Sequence, residues 1–201
     1  MSLSYKHVQS LFIGILIGLV CIPLVYAERA LMQVDMDTGN KPRLQNGAIV
    51  FMNYCSGCHA LGYLRYNRMA QDLGLTTGNG QVDQDLLINN LVFTQAPIYA
   101  PIEIAMPTVS ARQWFGAVPP DLSLIARQHS AEWLYTYLLS FYEDRTRPFG
   151  SNNALVPNVA MPNVFAPLTG RVLAMHEKKN RRLKRPQTLF YGKWGHAGLR
   201  I

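Results

Sequence analysis

Cys55-Ser-Gly-Cys58-His59 is the stretch on which the reading of this chain turns. On a helix, residues 55, 58 and 59 stand at i, i+3 and i+4 and share one face. Cys-x-x-Cys alone fits a redox dithiol, half a zinc site or a haem anchor. The imidazole directly after the second thiol favours the last. Two thiols add to two vinyl groups of a porphyrin, and the adjoining ring reaches the iron. Cys55, Cys58 and His59 are therefore the candidate attachment points and first axial ligand of one covalently bound haem c.

The third cysteine of the chain, Cys21, lies in an N-terminal apolar run, so the body holds a single thiol pair. That excludes a disulfide scaffold, and a four-ligand zinc site would have to recruit two histidines. A length of 201 residues fits one domain with appendages, and 49% hydrophobic residues suffice for a core. The net charge of +7 is local rather than general. Residues 171–201 carry nine Lys/Arg against the single Glu177, which leaves residues 1–170 one negative charge in excess. The basicity belongs to a tail, so it gives no support to a nucleic-acid-binding fold.

Lys6 and His7 precede an apolar run from Leu11 to Val25, which ends in the small-x-small pattern Val25-Tyr26-Ala27. Residues 1–27 read as a signal peptide cleaved after Ala27, with an uncleaved N-terminal anchor as the alternative. Both place the cysteine motif outside the cytoplasm.

In the body, residues 28–45 read as a lead-in strand or loop. Ala48, Ile49, Phe51 and Met52 recur at helical spacing and predict a helix from Gln45 into Cys55. Tyr63, Leu64, Tyr66 and Met69 predict that helical structure resumes behind the motif. Gly74 to Gly80 breaks the pattern, and Asp83 to Phe93 gives a short helix. Pro97, Pro101 and Pro107 make residues 96–110 a wrapping segment. Trp133, Leu134, Tyr137, Leu138 and Phe141 predict a helix from Ala131 to Tyr142, with Ser130 as N-cap.

An electron-carrying haem needs a second axial ligand, and methionine opposite histidine raises its potential. Two Met-Pro pairs qualify, Met106-Pro107 and Met161-Pro162. Spacing favours Met161 only slightly. His129, His176 and His196 are the bis-histidine alternatives.

Four blocks carry a resemblance: Cys55 to Arg68, Trp114-Phe-Gly-Ala-Val-Pro-Pro-Asp-Leu-Ser123, Trp133 to Tyr142, and Pro157-Asn-Val-Ala-Met-Pro162. Together they resemble cytochrome c1 of proteobacteria, the haem subunit of the ubiquinol–cytochrome c oxidoreductase (complex III). The likeness covers residues 30–168. It implies a mainly α, c-type cytochrome fold, with helices and long irregular loops around one haem. It implies Met161 as sixth ligand, Arg112 as a propionate partner, and Pro119 and Pro120 as a pocket wall. Tyr63, Trp114 and Phe115 are candidate packing residues.

It further implies an electron-transfer subunit that is no enzyme on its own. Its partners would be cytochrome b, a Rieske iron–sulfur protein, soluble cytochrome c and the inner membrane, whose periplasmic face it would occupy. No nucleic acid is expected. The family continues to a C-terminal membrane helix, and no apolar run approaching ~18 residues follows Ala27. The expectation is three parts: residues 1–27, a haem domain over 28–170, and a disordered basic tail over 171–201 replacing the usual anchor by frameshift or rearrangement. A basic lipid-binding tail is the other reading. The rival functions are a free periplasmic c-type cytochrome, an exported thiol–disulfide oxidoreductase using Cys55 and Cys58, and a haem enzyme with a labile sixth position.

Overall fold

Asn40 opens the first helix by accepting the Arg43 amide on its side chain at 3.1 Å, with Pro42 in the first turn where a missing N–H costs nothing. This is a computed structural model, and it describes residues 30–104, 106–175 and 188–190. The expected cleavable segment, the apolar run holding Cys21 and most of the basic tail lie outside those residues. So do His176 and His196.

Helix α1 spans Lys41–Tyr54, four residues earlier than periodicity alone suggested, because the Asn40 cap and Pro42 start it. Strand β1 (Leu61–Arg65) follows the cysteine motif directly, and helix α2 (Tyr66–Leu73) follows the strand. The helix expected from Tyr63 therefore begins only at Tyr66. Residues 61–65 pair instead with β2 (Pro101–Ile102), a tertiary partner invisible in local spacing. Gly74, at φ 73, closes α2 in the left-handed conformation and donates its amide to the Ala70 and Gln71 carbonyls. Helix α3 (Gln84–Leu91) is capped by Asp83, whose carboxylate accepts the Leu86 amide at 3.0 Å. Met52 of α1, Tyr66 and Met69 of α2, Leu87 and Leu91 of α3, and Ile102 of β2 are buried together as the hydrophobic core.

The segment expected to wrap through residues 96–110 also contains β2 and the start of α4 (Thr108–Phe115). After the short α5 (Ile125–Gln128) comes α6, Ala131–Leu139, whose N-cap Ser130 accepts the Trp133 amide at 3.2 Å. Helix α6 stops three residues short of the expected Tyr142. Phe141–Glu143 is strand β3, antiparallel to β4 (Ser151–Asn153), and aromatic residues suit a strand as well as a helix. After α7 (Ala166–Thr169), β5 (Leu173–Met175) runs parallel to β3 and antiparallel to β6 (Thr188–Phe190). The boundary expected at residue 170 falls between α7 and β5, and just before that strand Arg171 ion-pairs with Glu143 and Val172 is buried. Short strands thus share the body with the helices, which makes the described architecture mixed rather than mainly α. No helix among the described residues is long and apolar enough to cross a membrane.

Candidate functional site

Helix α1 ends where the motif begins. The Cys55 amide still bonds to the Phe51 carbonyl at 2.8 Å, and the His59 amide reaches the Cys55 carbonyl at 2.9 Å. Those bonds carry one further helical turn through the motif, so Cys55, Cys58 and His59 keep the i, i+3, i+4 relation. Both cysteines are free and half-buried. Burial pushes the Cys55 thiol up, and the neighbouring Cys58 adds to it; burial pushes up the Cys58 thiol as well. These are protonated thiols in an apolar setting, the opposite of the depressed thiolate that disulfide exchange uses.

All three residues line one cleft of about 260 Å³. Tyr54, Phe115, Val118, Pro119 and Pro120 form part of its wall, and Tyr137, Val159, Met161 and Val164 form another. Across the whole lining, carbon dominates.

The Pro119-Pro120-Asp121-Leu122-Ser123 segment is laced to residues 59–63 by four bonds. His59 Nδ1 lies 2.7 Å from the Pro120 carbonyl oxygen. A carbonyl only accepts, so Nδ1 carries the hydrogen and Nε2 keeps its lone pair free for a metal. The Leu122 amide donates to the Ala60 carbonyl at 2.9 Å, the Gly62 amide to Asp121 Oδ2 at 2.9 Å, and the Tyr63 amide to Ser123 Oγ at 3.1 Å. The Asp121 carboxyl is held below the usual range, first by the Ser123 hydroxyl, then by the Ser123 and Gly62 amides. A Cβ at Gly62 would sit 2.8 Å from Asp121 Oδ2, so a side chain there would have to displace that carboxylate.

Met161 stands on a loop built by strand β4. Asn153 Oδ1 accepts the Leu155 and Val156 amides at 2.9 and 3.0 Å, and Asn152 Oδ1 accepts the Asn158 amide at 2.8 Å. Ser151 Oγ accepts the Asn163 amide at 3.1 Å. All three are buried. Asn158 has φ 64, and Arg147 Nη2 donates to its carbonyl at 3.1 Å. On the cleft side, the Tyr137 hydroxyl donates to Met161 Sδ at 3.4 Å.

Of the residues singled out from sequence, Cys55, Cys58, His59, Pro119, Pro120, Phe115 and Met161 come together at the cleft. Met106, Arg112 and His129 do not line it. Arg112 sits exposed on α4, and the ring of His129 stacks on Trp133 at 3.8 Å. Tyr63 and Trp114, offered as packing residues, are 80% and 59% exposed and do not line the cleft. Sequence reasoning missed Gly62, Asp121 and the Ser151–Asn153 trio. Gly62 and the short polar side chains of the others read as ordinary turn residues. Tyr137 was visible only as one more apolar position of a helix.

The donor set fits a c-type haem: two protonated thiols on one turn, an imidazole oriented by a carbonyl, and a thioether, all on one apolar cleft. No family model matches the chain. Among curated proteins it is similar to a cytochrome c1 of Allochromatium vinosum, with 48% identity over 147 residues. It is also similar to a protein named ammonia monooxygenase gamma subunit of Nitrosomonas europaea, with 40% identity over 143 residues. The matches take in 73% and 71% of this chain but 57% and 58% of those proteins, so the chain spans under two thirds of their length.

Proposed function

We propose that this chain, a relative of cytochrome c1 by sequence, carries one covalently attached haem c and serves as an electron-transfer subunit. The observation that carries the reading is the His59 Nδ1–H bond to the Pro120 carbonyl, which leaves Nε2 free on the same cleft as Met161. Bound there, a haem supplies a one-electron ferric/ferrous couple.

The chain's own residues do the rest. Cys55 and Cys58 present two thiols from one turn, the groups that add to the two vinyl groups of a porphyrin. His59 offers Nε2, oriented by Pro120, and Met161 offers Sδ, oriented by its loop. His59 and Met161 would together hold the iron, and a histidine–methionine pair would raise its potential. The apolar wall keeps water from the iron. Pro119 and Pro120 close one side of it, and Arg112 is the residue proposed for a propionate.

The fold is read as c-type, with a haem domain over residues 28–170. The electron donor is proposed to be a Rieske iron–sulfur protein and the acceptor a soluble cytochrome c. The chain would work beside cytochrome b in a ubiquinol–cytochrome c oxidoreductase, at the periplasmic face of the bacterial inner membrane.

A haem-stained denaturing gel tests attachment, and a spectrum of the reduced protein under carbon monoxide tests ligation. The reading expects haem that survives denaturation and a carbon monoxide spectrum identical to the reduced one. Stain retained after Cys55→Ser together with Cys58→Ser would sink covalent attachment through this motif. Ready carbon monoxide binding would favour an oxygen-chemistry role of the kind named in the Nitrosomonas relative. The thiol–disulfide alternative is disfavoured by two thiols held protonated.

A further inference from the structure

We infer that Tyr137 positions the sulfur of Met161 for the iron, and that the aromatic column along α6 serves to hold its phenol in place. The inference rests on the haem reading above and names a residue that reading does not use.

A methionine side chain is unbranched, turns about three bonds, and does not fix its own sulfur. The loop bonds from Ser151, Asn152 and Asn153 all end on backbone amides. They set where the Met161 backbone runs and leave the thioether unaddressed. The contact that addresses it is the Tyr137 hydroxyl, donating to Sδ at 3.4 Å. A thioether sulfur is a weak acceptor with two lone pairs, so one bond from the phenol leaves the second pair for a metal.

Tyr137 is tied to the same segment at its other end. Its carbonyl accepts Asn153 Nδ2 at 2.7 Å, from the side chain that also caps the Leu155 and Val156 amides. The backbone and the hydroxyl of Tyr137 thus engage the Met161 loop from both sides. The ring between them is clamped along the helix. His129 stacks on Trp133 at 3.8 Å and 14°, Trp133 stacks on Tyr137 at 5.2 Å and 5°, and Phe141 meets Tyr137 edge-on at 5.4 Å. Trp133 and Tyr137 stand four residues apart on α6, with His129 ahead of the helix and Phe141 on β3 behind it, and each aromatic pair adds to the area burial.

Tyr137→Phe keeps the ring and the column and removes only the hydroxyl, and Tyr135→Phe, on an exposed neighbour, is the control. Two measurements decide. In haem-free chain carrying methyl-labelled methionine, the Met161 methyl resonance should move toward the position of a free side chain in Tyr137→Phe and stay put in Tyr135→Phe. In haem-loaded full chain, exogenous imidazole should displace Met161 from the ferric iron at about two- to tenfold lower concentration in Tyr137→Phe, the range expected for losing one net hydrogen bond. An unmoved methyl and an unchanged imidazole affinity would overturn the inference. Failure of both variants and the parent chain to take up haem would overturn the haem reading instead, and the methyl resonance would still decide the tie between Tyr137 and Met161.

Discussion

At the scale of single residues, the site depends on small groups in contact with its ligands rather than on the ligands alone. Gly62 is the sharpest case. A Cβ would meet Asp121 Oδ2 at 2.8 Å, and that carboxylate also accepts the Ser123 amide at 2.7 Å, so it has little freedom to retreat. Gly62→Ala should lower stability by about 1–3 kcal/mol, the usual cost of forcing an extra carbon into a filled space. Urea unfolding of the variant against the parent measures it, and an unchanged midpoint would mean the carboxylate swings away freely. Asp121 also sets a pH dependence. Its carboxyl is depressed in the fold, so the unfolded chain binds more protons between the two pKa values, and stability rises with pH there. The stabilisation is present above the ordinary carboxylate range and is lost as pH falls through the depressed value. Between about pH 5 and pH 1 the unfolding midpoint should therefore fall, and Asp121→Asn should flatten that slope. An equally steep acid limb in Asp121→Asn would assign the effect to Glu143 and Asp144, which are depressed too.

At the scale of elements, β4 is a strand whose work is done by its side chains. Ser151, Asn152 and Asn153 pair with β3 through the backbone and spend their polar groups on the loop that follows. Asn153 makes three such bonds while fully buried, two to loop amides and one to the Tyr137 carbonyl. Asn153→Leu should cost about 1–3 kcal/mol for each buried group left unpaired, and hydrogen exchange at the Leu155 and Val156 amides should accelerate first. Uniform acceleration across the chain would point to a general packing defect instead. The sequence disclosed what is local. Ser130 and Asp83 were readable as caps or helix starts because a cap acts within three residues. The Cys55–His59 motif was readable because its chemistry is fixed by adjacency. Strand β3 was not, since Phe141 and Tyr142 take strand form only against partners at 151–153 and 173. Met161 was separable from Met106 by resemblance and not by spacing. The loop bonds that bring it to the cleft come from side chains that look like any turn.

At the scale of the whole body, the two sides of the cleft are held together by different means. The motif side rests on the hydrophobic core shared by α1, α2, α3 and β2, with Met52, Tyr66, Leu87, Leu91 and Ile102 almost fully buried. Around α6, β3 and β4, by contrast, the buried set is largely polar: Thr136, Ser140, Ser151, Asn152 and Asn153, with Phe141 and Val172 as the hydrophobic members. Such an interior fixes geometry through hydrogen bonds and contributes little apolar burial. The missing apolar partner is the cleft itself, whose lining comes from both sides. A flat apolar group seated there would complete a second core and tether the polar side to the helical one. Removing the group should then loosen the two sides unequally. In haem-free chain, made by Cys55→Ser with Cys58→Ser, the amides of Tyr66–Leu73 should keep their hydrogen-exchange protection. Those of residues 151–163 should lose at least ~tenfold, equivalent to about 1.4 kcal/mol of local opening. Equal loss on both sides would show one cooperative core that merely happens to border a cleft. Loss confined to residues 151–163 would show that the polar side takes its final stability from what the cleft binds, which ties the strength of the Met161 arm to occupancy of the site it serves.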